Sequence, residues 1–79
     1  DVFVYYTGDD RVMGLLRRYG EQTLICLFNF SEQPVDIMLF GQGWKDILNG
    51  EEIKASGDGI ALLHFDGYGF RWLLEDNDQ

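Results

Sequence analysis

The stretch LICLFNFSEQPVDIMLF, residues 24–40, consists of two apolar runs separated by a short polar segment that contains the single proline of the chain. Pro34 has no N–H to donate to a sheet ladder and its φ is fixed, so it belongs at the start of a strand. From Val35 to Leu39 apolar residues occupy every second position, which indicates a strand with one buried face. The stretch therefore predicts a hairpin that reverses at residues 31–33.

The flanking sequence continues the same pattern. β-Branched and aromatic residues form short runs, and clusters of glycine and acidic residues separate them about every 8–12 residues. This spacing predicts an all-β domain of seven or eight short strands, either a small antiparallel β-sandwich or a partly open Greek-key barrel. The predicted strands are Val2–Tyr6, Arg11–Tyr19, Gln22–Phe30, Val35–Leu39, Trp44–Leu48, Glu51–Ala55, Ile60–Phe65 and Tyr68–Leu74.

Val12–Tyr19 also fits a helix, because methionine, leucine and arginine favour helices and only Gly14 interrupts the segment. The short break at residues 20–22 favours a hairpin of adjacent strands instead. Both this run and the next carry apolar residues on both faces, which predicts central strands. Further along, Asn49-Gly50 between two short runs predicts a type I′ hairpin turn.

Composition limits the classes of partner. The 79 residues suffice for one small domain with a thin core, and the net charge of −8 disfavours nucleic acid and anionic lipid. No apolar stretch approaches the roughly 20 residues that span a bilayer, so no membrane association is predicted. The start at Asp1 without a leader suggests a piece of a longer chain. We expect one β domain over residues 1–74 and a flexible acidic tail over 75–79; the compartment stays open, with the cytoplasm favoured.

No residue pattern in the chain predicts catalysis, a metal site or a cofactor. The acidic pairs fall in predicted turns or in the tail, where solvated carboxylates are expected. Cys26 lies within an apolar run and is expected to be a buried small hydrophobe. His64 is the single histidine and has no set of further ligands at a suitable spacing, so a structural or interface role is favoured.

Three aromatic side chains are the candidate binding residues: Trp44, Tyr68 and Trp72. Flat aromatic faces stack on sugar rings, but they also fill small cores and domain interfaces. Tyr68, Phe70 and Trp72 fall on one face of the last predicted strand. Such a stripe is expected to be covered by a neighbour.

Three segments carry a family resemblance: RRYGEQTLICLFNFSEQPVDI, GWKDILNGEEI and GYGFRWL, at residues 17–37, 43–53 and 67–73. In this order and spacing they resemble the C-terminal β-sandwich domain of α-amylase superfamily enzymes, in particular the amylosucrase and trehalose-synthase-like branch. One departure is Phe65-Asp66-Gly67, where that family usually has prolines before the closing tyrosine. A glycine there implies a more flexible turn.

The resemblance implies a non-catalytic domain that follows a catalytic (β/α)8 barrel, the partner in the same chain, in an enzyme that hydrolyses or transfers glucosyl units of starch, maltooligosaccharides or sucrose. It implies no active-site residue in this segment. Two hypotheses follow: an accessory domain that packs on the barrel and stabilises it, or a carbohydrate-binding module with weak affinity for sugars. A third, an unrelated protein-binding sandwich, stays open. The isolated segment is also expected to self-associate through the surface that the barrel would cover.

Overall fold

The computed structural model describes residues 2–41 and 43–75. Its regular elements are eight strands: β1 Val2–Tyr6, β2 Val12–Tyr19, β3 Gln22–Asn29, β4 Val35–Phe40, β5 Gly43–Asp46, β6 Glu52–Lys54, β7 Ile60–Phe65 and β8 Phe70–Glu75. The predicted all-β class and the number of strands are confirmed. The strand β8 includes Glu75, which the sequence placed in the tail, and residues 76–79 lie outside the described residues.

The strands form two antiparallel sheets. The larger sheet has the order β1-β2-β3-β8-β5-β6, and the smaller sheet pairs β4 with β7. The helix considered for Val12–Tyr19 is wrong, because this segment pairs with β1 on one side and β3 on the other. Both β2 and β3 lie inside the larger sheet, as their two apolar faces predicted.

The core lies between the two sheets. Each strand contributes every second residue, so the inner faces of both sheets interdigitate as in other sandwiches. The buried hydrophobic residues are Val12, Ile25, Leu27, Val35, Ile37, Leu39, Trp44, Ile53, Ala61, Leu63, Phe65 and Leu73. The smaller sheet has only two strands, which is the reason that β1, at the edge of the larger sheet, is largely exposed.

The hairpin predicted at residues 24–40 is wrong in its pairing. The chain does reverse before Pro34, but β3 pairs with β2 and β8, whereas β4 pairs with β7 in the other sheet. The connection therefore crosses from one sheet to the other. Periodicity identifies both strands but does not identify their partners, which is the physical reason for the error.

Asn29 holds this crossing in place. Its side chain is fully buried at the end of β3, where its Nδ2 donates to the carbonyls of Gln33 (2.8 Å) and Asp66 (3.1 Å). Its Oδ1 accepts from the backbone N–H and the hydroxyl of Ser31. A buried polar side chain is tolerated only when it is hydrogen-bonded, and here all these bonds fix the path of two connections.

The turn at Asn49-Gly50 also differs from its prediction. The hairpin of β5 and β6 exists, but Gly50 has a positive φ (81°) and Asn49 does not, so the turn is not type I′. The Gly50 N–H donates to the Asp46 carbonyl, and the buried Asp46 carboxylate accepts from the N–H groups of Leu48 and Asn49. This side chain stabilises a wider turn, and the short-range Asn-Gly signal does not include it.

Candidate interaction surface on the larger sheet

The side of the larger sheet that faces away from the core is the candidate site; we call it the outer face. It is built from three rows of side chains that run across neighbouring strands, as the strand register defines them. The rows are Tyr6, Met13, Phe28 and Phe70; Val4, Leu15, Cys26 and Trp72; and Val2, Arg17, Leu24, Leu74, Lys45 and Glu52.

The first two rows carry no charged side chain, and their polar groups are the hydroxyl of Tyr6, the thiol of Cys26 and the indole N–H of Trp72. Several of their side chains are exposed, among them Met13 (50%), Phe70 (58%) and Trp72 (43%). Phe28 is half-buried and contacts Phe30 edge to face, with ring centroids 4.6 Å apart. Contiguous apolar surface of this kind is uncommon on isolated soluble domains and marks an interaction site.

A shallow cavity of about 230 Å³ lies in the middle of the outer face. Met13, Leu15, Cys26, Phe28, Phe70 and Trp72 line it. Partial burial raises the pKa of the Cys26 thiol, so the thiol stays protonated and apolar near neutral pH. The cavity has the size and the lining to receive one large apolar side chain from a neighbour.

The sequence produces this face because β2, β3 and β8 carry apolar residues at consecutive positions. One set, including Ile25 and Leu73, enters the core, and the alternate set, including Cys26 and Trp72, has no second layer to pack against within residues 2–41 and 43–75. Antiparallel sheets with one solvated face usually have polar residues there. The departure from that rule makes this face the candidate interaction surface.

The three predicted binding aromatics do not form one cluster. Trp44 is buried in the core (4% exposed) and lies under Gly41. Trp72 lies on the outer face beside Phe70. Tyr68 is exposed and precedes β8, in a turn where its φ is +57°, so the period of the strand does not extend to it. The expected stripe therefore contains Phe70 and Trp72, with Tyr68 outside the strand.

Arg71 connects the two sheets at one end of the sandwich. It lies on β8, and its guanidinium donates to the His64 carbonyl on β7, to Glu51 (2.8 Å) and to Asp46 (3.5 Å). A small polar cavity of about 150 Å³ adjoins these groups. Because Arg71 and Asp46 are already hydrogen-bonded to each other and to the backbone, this cluster has a structural role. Both residues lie in segments that carry the family resemblance, but no role was predicted for either.

His64 lies on the outward side of the smaller sheet, between two carboxylates. Its Nδ1 is 2.7 Å from Asp36 and its Nε2 is 3.3 Å from Asp66. The hydrogen bond with Asp36 is the main cause that raises the pKa of His64 above its ordinary value of 6.5. The described residues hold no group of three histidine, cysteine or acidic side chains that could bind a metal ion. Nor do they include a helix with the length and hydropathy to cross a membrane.

The comparisons with known proteins concern the family of this β-sandwich and its fold. Residues 3–72 match the family described as Maltogenic Amylase, C-terminal domain. The chain therefore belongs to this family of C-terminal domains of α-amylase superfamily enzymes, and the resemblance predicted from the three sequence segments is confirmed. The finer placement in the amylosucrase and trehalose-synthase-like branch stays a prediction. Comparison with curated proteins gives no matching relative.

Solved structures share the fold. A structure of AmyP in complex with maltotriose matches all of this chain and 17% of its own, with a TM-score of 0.85 and 13% identity. An α-amylase from Anoxybacillus matches all of this chain and 18% of its own, with a TM-score of 0.81 and 17% identity. The α-amylase from H. orenii matches 96% of this chain and 16% of its own, with a TM-score of 0.75 and 16% identity.

The chain thus spans about a sixth of the solved chains that it resembles. At these identities the likeness concerns the fold. In those proteins the sandwich is one part of a much longer amylase chain.

Proposed function

We propose that this chain is the non-catalytic accessory domain of an α-amylase family enzyme that acts on α-glucosides, such as starch, maltooligosaccharides or sucrose. It packs on the catalytic (β/α)8 barrel of the same polypeptide and stabilises it. The observation that carries the proposal is the outer face: two rows of apolar side chains on one side of a sheet whose other side already forms the core.

The catalytic domain is the occupant that fits this surface best. The solved chains that share the fold contain a similar sandwich within a polypeptide about six times longer, which supports a large neighbour in the same polypeptide here. A tethered neighbour is held at high effective concentration, and a modest apolar surface is then sufficient for stable packing. Without that neighbour the same surface leads us to expect self-association of the isolated chain.

The test compares two exposed leucines in the full-length polypeptide. Leu15 lies at the centre of the outer face, and Leu62 lies mid-strand on the outward side of the smaller sheet. Leu15→Glu is expected to accelerate thermal inactivation by at least about tenfold, because it leaves a carboxylate unpaired in a covered apolar interface. Leu62→Glu is the matched control and is expected to change the rate by less than about threefold.

Equal rates for the two variants would contradict the proposal. A third variant separates packing from folding: Leu15→Ala keeps an apolar side chain and is expected to give an intermediate rate. The melting temperature of the isolated 79-residue chain is the folding control. Neither leucine contributes to the core there, so at a concentration where the chain is monomeric all three variants are expected to melt close to the parent chain.

Carbohydrate binding is the second candidate function, and the exposure of Tyr68 and Trp72 favours it. Sugar sites combine an aromatic platform with polar groups that bond the hydroxyls, yet the neighbours of Trp72 are Cys26, Phe70 and Leu74. The outer face is therefore better suited to protein packing. Titration of the isolated chain with maltoheptaose, followed by tryptophan fluorescence, tests this candidate. Saturable binding in the millimolar range that Trp72→Ala abolishes would support it.

A further inference from the structure

The outer face differs in charge from the rest of the domain. The chain carries a net charge of −8 with only six basic residues. Three of these basic residues lie on the outer face by strand register: Arg17, Lys45 and Lys54. The three rows contain one acidic residue, Glu52. An apolar surface with a basic border on an acidic domain indicates a partner that binds in one orientation, with acidic groups opposite the basic border.

The cations lie along one border. Arg17 and Lys45 belong to the third row, with Leu24 and Leu74 between them. Three strand spacings separate β2 from β5 in the sheet, which places the two residues about 14 Å apart. Lys54 pairs with Gly43 beside Lys45. The two apolar rows end at this border, so a partner that fills the central cavity also reaches the cations.

These positive charges are available to a partner. The ion pairs among residues 2–41 and 43–75 engage Arg11, His64 and Arg71, and none engages Lys45 or Lys54. The Arg17 guanidinium stacks over the Tyr19 ring at 4.7 Å, which orients the group without neutralising it. Arg11, which precedes the first residue of β2, is paired with Asp9 at 2.8 Å. Among the described residues of the three rows, Arg17 and Lys45 are therefore the basic side chains without an ion pair, and Lys45 has Glu52 as its cross-strand neighbour.

We propose that the surface which covers the outer face carries carboxylates opposite Arg17 and Lys45, about 14 Å apart, beside an apolar projection that enters the central cavity. This inference rests on the proposed function, and it names the chemistry of the barrel surface that the domain recognises. Burial of the apolar rows stabilises the interface, and the charged border fixes the orientation of the sandwich on its neighbour.

The experiment uses charge reversal in the full-length polypeptide. Arg17→Glu and Lys45→Glu are each expected to accelerate thermal inactivation about twofold to tenfold at about 20 mM salt, because an attraction becomes a repulsion. The effect is expected to shrink to less than about twofold at about 1 M salt, where the Debye length is about 3 Å. Arg18→Glu is the matched control, since Arg18 is the next residue of β2 and points to the other side of the sheet.

The outcomes separate this inference from the proposed function. If Leu15→Glu destabilises the protein while both reversals behave like Arg18→Glu, the barrel packs on the apolar rows but lacks the carboxylates, and the inference is wrong. Stabilisation by either reversal would show a basic partner surface and would also overturn it. If Leu15→Glu has no effect beyond that of Leu62→Glu, the proposed function itself fails.

Discussion

Asn29 donates a hydrogen bond of 3.1 Å from Nδ2 to the backbone carbonyl of Asp66, a residue 37 positions later in the chain. This bond ties the crossing from β3 to β4 to the connection from β7 to β8. The backbone reinforces it, because the Asn29 N–H donates to Gly69 and the Tyr68 N–H donates to Ser31. The two sheets are therefore joined by polar contacts at one end, in addition to the apolar core between them.

The first prediction concerns this link. Asn29→Asp removes the two donors of Nδ2 and places a carboxylate against two carbonyl oxygens in a fully buried position. We expect the free energy of unfolding to fall by about 2–4 kcal/mol. Urea titration followed by circular dichroism measures it. Asn49→Asp is the control: Asn49 is exposed and its side-chain oxygen accepts from Glu51, a role that a carboxylate also fills, so the expected change is below about 0.5 kcal/mol.

The second prediction concerns the approach of β1 to β2. A Cβ at Gly14 would lie 2.8 Å from the backbone oxygen of Tyr5 and 3.0 Å from a methyl group of Leu27. Since a backbone atom cannot move aside as a side chain can, Gly14→Ala is expected to destabilise the chain by about 1–3 kcal/mol. Gly57→Ala is the control, because no atom lies within 4 Å of its added Cβ. Equal melting temperatures for the two variants would contradict the close packing of β1.

The third prediction concerns pH. The carboxylates of Asp36 and Asp66 raise the pKa of His64 above 6.5, so the folded state binds the proton more tightly than the unfolded state. The protonated His64 therefore stabilises the folded state. This stabilisation is complete below about pH 6.5 and is lost as the pH rises through the raised pKa of His64 in the folded state. The loss of melting temperature caused by His64→Gln is therefore expected to be larger at about pH 5.5 than at about pH 8.5.

Two further variants locate the origin of this pH dependence. Asp36→Asn removes the hydrogen-bonded carboxylate at 2.7 Å and is expected to flatten the same dependence. Glu52→Gln, on the larger sheet, is expected to leave it unchanged. A His64→Gln effect that does not vary with pH would show that the ion pairs on the smaller sheet do not contribute to stability.

Much of the fold was predictable from the sequence because its strands have the period and composition of strands. Pro34 was correctly placed next to the start of β4, and the two apolar faces of β2 and β3 correctly predicted central strands. Strand pairing was less predictable. The stretch through Asn29 looked like a hairpin because the hydrogen bonds that send the chain to the other sheet involve Asp66, which is distant in sequence.

The candidate site was predictable in kind but only partly in detail. The doubly apolar strands predicted a second apolar surface, and the structure has one. Trp44 could not be separated from Trp72 by composition, because burial depends on which side of β5 faces the smaller sheet. The hydrogen bond between Asp46 and Arg71 was not predictable from local sequence, because it joins residues 25 positions apart.

Gly67 lies in the turn that departs from the family pattern, and close packing explains why this position holds a glycine. A Cβ there would collide with the backbone of Glu32, in the crossing from β3 to β4. Gly67→Ala is therefore expected to destabilise the chain by at least about 2 kcal/mol, because the collision outweighs the conformational entropy that alanine removes from the unfolded chain. The same Gly57→Ala variant serves as the control for added Cβ atoms in loops, measured by the same thermal unfolding.

The most direct test of the central claim, that the catalytic domain covers the outer face, is the reactivity of Cys26. The thiol lines the central cavity of that face and is the single cysteine of this chain. Labelling with iodoacetamide at about pH 8.5 is followed by mass spectrometry of the peptide that contains Cys26, in the isolated chain and in the full-length polypeptide. We predict labelling at least about tenfold slower in the full-length protein than in the isolated chain at a concentration where the isolated chain is monomeric. Equal labelling rates in the two proteins would contradict the account.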